Sequence, residues 1–181
     1  MDAALLFLTR TVFDLYLLTF LLRFILQWIR SDFYNPFAQF ILRVTNPLVI
    51  PARRIIPAAG GIDLATLVVM LVLQLAATNL LLVIAGVSYE ILDLLRLTAL
   101  RTVSLLLWLY FVSLLLYVIL SWVSPAGRSP VSAILYSLNA PLLRPVQRIL
   151  PAIGGLDLSP LVVLILLQAL MIAVPLPGFL R

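Results

Sequence analysis

Two aspartates, Asp63 and Asp157, stand 94 residues apart, and each follows a glycine pair, Gly60-Gly61 and Gly154-Gly155. Two chemistries are open to carboxylates so placed. Each can cap the helix that comes after it, where its charge meets the positive end of the helix dipole. Alternatively, the two together form a cation or proton site. Gln74 and Gln168 repeat at the same spacing inside apolar runs. Amides there serve as interhelical glue worth about 1 kcal/mol, or line a polar route. Arg54 and Arg148, also matched, either anchor on anionic lipid headgroups by snorkelling or pair with the aspartates across the glycine turns. Arg10 and Asp14 lie four apart in an apolar run, on one helical face, so the spacing predicts a mutual ion pair. Arg23, further along that run, is expected to snorkel toward the membrane surface.

Other residue types are missing altogether. With no cysteine and no histidine, the chain lacks disulfides, thiolate ligands, the commonest metal ligand and the usual general base. No nucleophile and base fall into a recognisable constellation, so neither enzyme activity nor a cofactor or metal is expected. The net charge of +5 comes from arginine alone. These arginines sit at the ends of apolar runs rather than in an aromatic-rich basic patch, which argues against nucleic-acid binding.

The elements that must hold these groups are apolar. Hydrophobic residues make up 64% of the 181-residue chain and charged ones only 10%, too few charges to cover a water-soluble domain. Apolar runs at about 4–29, 64–87, 102–123 and 160–174 reach or approach the roughly 20 residues that span hydrocarbon. The first is longer than a signal-peptide core and comes after an acidic Asp2, so it is read as a retained helix.

The offset that relates the aspartates relates the whole chain. It carries Trp28 onto Trp122, Pro36 onto Pro130, Pro47 onto Pro141, Pro51 onto Pro145 and Arg54 onto Arg148. The expected fold is therefore all-α: a polytopic membrane protein with four transmembrane helices, arranged as two parallel tandem hairpin repeats, 1–93 and 94–181. Arginine bias places the segments after the first and third spans in the cytoplasm and both termini outside.

Those segments carry most of the matched polar residues. Asn35-Pro36 and Ser129-Pro130 read as N-caps with proline at the first helical position. Apolar residues then recur at helical spacing, Phe37, Phe40, Ile41 and Val44 in one copy, Val131, Ile134, Leu135 and Leu138 in the other. A short amphipathic interfacial helix is expected at about 36–46 and 130–139. Pro47 and Pro51, like Pro141 and Pro145, are expected to break the chain beyond each of these helices into short turns. Ser159-Pro160 reads as a further capping signal.

Asp32-Phe33-Tyr34-Asn35-Pro36-Phe37, Pro51-Ala52-Arg53-Arg54-Ile55-Ile56-Pro57 and Gly60-Gly61-Ile62-Asp63 resemble the signature of the bacterial YggT family. A second copy runs through Gly127-Arg128-Ser129-Pro130 and Gly154-Gly155-Leu156-Asp157-Leu158-Ser159-Pro160. Gln147 stands where the first copy has Arg53, so a role needing both arginines in both halves is disfavoured. The resemblance implies an inner-membrane protein connected with osmotic-stress tolerance and potassium uptake, and it brings no catalytic residues. Two functions emerge as expectations: a non-catalytic scaffold or helper that meets lipid headgroups, other membrane proteins or its own copies, and a small ion channel or transporter lined by Asp63, Asp157, Gln74 and Gln168.

Overall fold

The computed structural model describes residues 3–29, 34–57, 61–123, 129–150 and 157–180. They form six α-helices: α1 (Ala3–Trp28), α2 (Pro36–Arg53), α3 (Leu64–Ala85), α4 (Ile91–Val123), α5 (Pro130–Ile149) and α6 (Ser159–Ala173). A 3-10 turn at Gly178–Leu180 comes last. Among the described residues there is no strand.

Three helices, α1, α3 and α4, are long and apolar enough to cross a membrane. The fourth apolar helix, α6, has 15 residues, about 22 Å at 1.5 Å per residue. Pro175 ends it early, because proline disfavours helical backbone in the residue before it. At the other extreme, α4 has 33 residues. It begins at Ile91 rather than near 102, since no Gly or Pro interrupts the chain after Gly86 and the helix continues through Arg96 and Arg101. Gly86 itself stops α3, adopting φ 66° where glycine bears no Cβ penalty.

The connecting helices are longer than expected. Instead of ending at Asn46, α2 runs through Pro47 and Pro51, and α5 runs through Pro141 and Pro145. The physical reason lies in their faces. Each pair is spaced by four, so both prolines share one side of the helix, and all four side chains are exposed. The carbonyls left without an N–H partner therefore face outward, where water can satisfy them.

The buried stripes also differ from the expected ones. In α2 it is Ala38, Ile41, Thr45 and Val49 that turn inward, while Phe40 is 57% exposed. In α5 Ile134, Leu135 and Leu138 are buried as expected and continue into Leu143, whereas Val131 is exposed.

Packing mirrors the duplication. α1 packs on α3 and α4 on α6, with α2 laid against the first pair and α5 against the second. α3 and α4 join the halves. Leu17, Phe20 and Leu21 of α1 meet Met70 and Ala77 of α3 and Leu105 and Leu109 of α4 in the central core. At one end of the bundle Leu6, Leu81, Leu82, Leu94, Val174 and Leu180 cluster, bringing the start of α1 beside the C-terminal segment. Outward faces are apolar too, with Val72, Val83, Ile165 and Leu166 each more than half exposed, the surface expected of a protein that contacts lipid.

Candidate functional site

The polar residues gather in three places. In the first repeat, Asp63 caps α3: its Oδ1 accepts from the Thr66 amide at 3.4 Å and its Oδ2 from the Thr66 hydroxyl at 2.6 Å. The same carboxylate is ion-paired to Arg53 from the last turn of α2. Arg23 of α1 approaches from the other side, with Nε 3.9 Å from Asp63 Oδ2. Only 2% exposed, Arg23 donates to Thr45 Oγ1 at 2.6 Å and Asn46 Oδ1 at 2.9 Å.

Of the two readings of Arg54, the pairing with Asp63 does not form, and the expectation for Arg23 is corrected. The partner of Asp63 is Arg53, not Arg54, because α2 remains helical through residue 53 and directs that side chain at α3, while Arg54 is rotated by about 100° and stays exposed. Arg23 does not snorkel: hydroxyl and amide groups of α2 and the carboxylate of Asp63 supply its partners inside the bundle. Burial alone raises the Asp63 carboxyl, but hydrogen bonds from Arg53 and Thr66 outweigh it and hold the group below its ordinary value near 3.8.

The second repeat builds a weaker copy. Gln147, the counterpart of Arg53, donates to Asp157 Oδ2 at 2.8 Å. Leu158 is the N-cap of α6 and offers no side-chain cap; Asp157, just ahead of it, accepts through Oδ1 from the Ser159 amide, the first of the helix, at 2.9 Å, while the Ser159 hydroxyl, expected to cap, is buried without a partner. Burial pushes Asp157 up, and Ser159 and Gln147 more than offset it, leaving its pKa lowered. Arg148 is exposed and takes no part. Tyr117 occupies the position of Arg23, so no cation stands at this matched position of the second copy. Both repeats nevertheless tie their first helix to the connecting helix at one matched position: Thr45 receives Arg23, and Asn139 Oδ1 accepts from Ser113 Oγ at 3.0 Å.

The third place joins the halves. Asp14 of α1 is bound not by Arg10 but by Arg101 of α4, Nη2 to Oδ1 at 2.7 Å. Arg101 is 3% exposed and also donates to Thr78 Oγ1 of α3 at 3.1 Å. A buried guanidinium needs a counter-charge more than the half-exposed Arg10 does, which decides the competition. A recess of about 230 Å³ opens beside the pair, lined by Arg10, Asp14, Arg101, Ser104 and Trp108 among others. Nothing at the 94-residue offset marked Arg101, because Phe7 is its counterpart. A legible signal was the unbroken helical run from Ile91, which carries Arg101 into the bundle.

The matched amides do not converge. Gln74 is buried with its Nε2 unpaired, while Gln168 is exposed. Asn35 caps α2 by accepting from the Phe37 amide at 2.9 Å, and its Nδ2 donates to the Pro130 carbonyl at 2.6 Å. The N-termini of α2 and α5 thus meet over a small apolar cluster of Leu26, Ala38 and Ile134. Ser129 caps α5 through the Ser132 amide at 3.0 Å. Gly61 adopts φ 80° ahead of Asp63; Gly60, Gly154 and Gly155 lie outside the described residues. Among the described residues no group of His, Cys, Asp and Glu is arranged to hold a metal ion.

Comparison with known proteins places this geometry. An uncharacterized protein of Vibrio alginolyticus is 48% identical over 165 residues, covering 90% of this chain and 88% of its own. The uncharacterized protein YggT of Escherichia coli is 44% identical over 164 residues, with 91% and 85% covered. An uncharacterized protein of Pseudomonas aeruginosa is 44% identical over 163 residues, with 89% and 83% covered. No solved structure matches the chain. The CCB3/YggT family model matches twice, over residues 3–84 and 97–177, the two halves in which the paired caps and connecting helices recur. The chain belongs to the CCB3/YggT family.

Proposed function

We propose that the protein is a non-catalytic inner-membrane factor, a scaffold or helper that supports membrane homeostasis and osmotic-stress tolerance. In this reading α1, α3, α4 and α6 form four crossings in two parallel hairpins, with both termini outside. α2 and α5 lie at the cytoplasmic surface as a two-helix docking platform for anionic headgroups, a neighbouring membrane protein or another copy. The observation that carries it is the link from Asn35 to the Pro130 carbonyl, which joins the two connecting helices into one surface. Arg43, Arg144 and Arg148 are exposed on these helices, as the inner-leaflet charge favours.

The alternative is an ion route lined by Asp63, Asp157, Gln74 and Gln168. Against it, Asp63 is already neutralised by Arg53 with Arg23 close by, and Gln168 faces away from the bundle.

Reconstitution in liposomes under a potassium gradient separates the two. The helper reading expects flux no greater than in protein-free vesicles; flux abolished by Asp63→Asn together with Asp157→Asn would overturn it. In cells lacking the gene, Arg43→Glu with Arg144→Glu is expected to lose osmotic complementation at wild-type membrane abundance. The chain has no native cysteine, so single cysteines at Phe40 and Val87 report sidedness cleanly, and labelling from the same side would refute the topology.

A further inference from the structure

We propose that the recess between α1 and α4 is a binding site for a small anion. Its polar lining is rich in donors. Arg10 and Arg101 bring two positive charges, and Thr11, Ser104 and Trp108, whose side chains carry donors, are among the lining residues. The one carboxylate, Asp14, is committed to Arg101 at 2.7 Å. One positive charge remains. Among the described residues Arg10 has no carboxylate within ion-pair distance, and its guanidinium lies 5.9 Å from the Phe7 ring centroid. Arg10 is part-buried at the recess, so with Asp14 held by Arg101 the lining keeps a net positive charge that favours an anion there. The recess, about 230 Å³, has room for a halide, a carboxylate or a phosphate group with attendant water.

Position supports the same chemistry. Leu180 also lines the recess, so it extends between α1 and α4 to the C-terminal segment. Arg101 is held on Asp14 and Thr78 from two helices, so its charge is fixed in place before any ligand arrives. A dissolved anion and the phosphate of an anionic lipid share this chemistry: one negative charge with several lone pairs.

Trp108 supplies the readout. In a Trp28→Phe, Trp122→Phe background it is the one remaining tryptophan. Iodide is titrated against its fluorescence with the protein in phosphatidylcholine nanodiscs at constant ionic strength. The expected result is a saturable quenching component, displaced by chloride and not by the bulkier gluconate. Arg10→Gln breaks no ion pair among the described residues and is expected to raise the half-saturating iodide about tenfold, the loss of one charge-assisted hydrogen bond, with Arg10→Lys intermediate. Adding phosphatidylglycerol separates the sources: loss of the saturable component assigns the site to a lipid phosphate, and its persistence assigns it to a dissolved anion. Quenching that is linear in iodide and unaffected by chloride, or identical in wild type and Arg10→Gln, overturns the proposal. Because the chloride displacement needs no change at Arg10, it decides the matter even where that variant does not fold.

Discussion

At Asn35 one side chain performs two tasks, accepting from the Phe37 amide and donating to the Pro130 carbonyl, whereas Ser129 at the matched position caps its own helix. Asn35→Ala is therefore expected to cost about 2 kcal/mol and Ser129→Ala about 1, read from thermal unfolding in detergent micelles. Asp63 gives the pH dependence. Its folded pKa lies below its ordinary value near 3.8, so its stabilising contribution is complete above that value and is lost as pH falls through the lower folded one. The Tm gap between wild type and Asp63→Asn is expected to be wide near neutrality and to close in acid below 3.8. Asp157, more exposed and without an arginine partner, shifts in the same direction and is expected to show the smaller gap. Capping at Asp63 was legible in the sequence, since Asp before an apolar run has few other local uses. The choice of Arg53 over Arg54 was not, because it depends on the rotation of α2 against α3.

The connecting helices set the next scale. Proline inside a helix costs about 3 kcal/mol relative to alanine, yet Pro47, Pro51, Pro141 and Pro145 sit within α2 and α5. All four are exposed, with Pro141 at the edge of an apolar recess, and none belongs to the buried stripes. Pro47→Ala and Pro141→Ala are each expected to raise stability by about 1 to 3 kcal/mol, measured as the shift in unfolding midpoint; a fall would mean that these rings pack against a surface of their own. The helix starts at Pro36 and Pro130 were readable from cap and proline together. Their ends were not, since sequence spacing shows that two prolines share a face without showing that the face is the outer one.

For the molecule as a whole, Asp14 and Arg101 form an ion pair between the halves. Arg101→Leu leaves Asp14 without its partner and is expected to cost about 3 to 5 kcal/mol, with Asp14→Leu in the same variant recovering much of the loss. A double-mutant cycle on purified protein measures this coupling, and additive effects would show that the pair contributes nothing. Further along α1 lies an apolar recess of about 380 Å³ bounded by α1, α3, α4 and Pro141, so the halves are fastened by polar contacts around Arg101 and by the Asn35–Pro130 hydrogen bond, with side-chain packing between them.

The sequence by itself determined the duplication, the apolar helices, the proline starts of α2 and α5 and the Asp63 cap, all of which rest on interactions within a few residues along the chain. It also determined the family, through motifs repeated at one offset. Only tertiary structure decided that Arg23 and Arg101 are buried, that Asp14 leaves Arg10 for a partner 87 residues away, and that Gln74 turns inward while Gln168 turns out. Those outcomes depend on which helix faces are pressed together, and a buried charge takes the counter-charge that packing brings within reach rather than the one nearest in sequence.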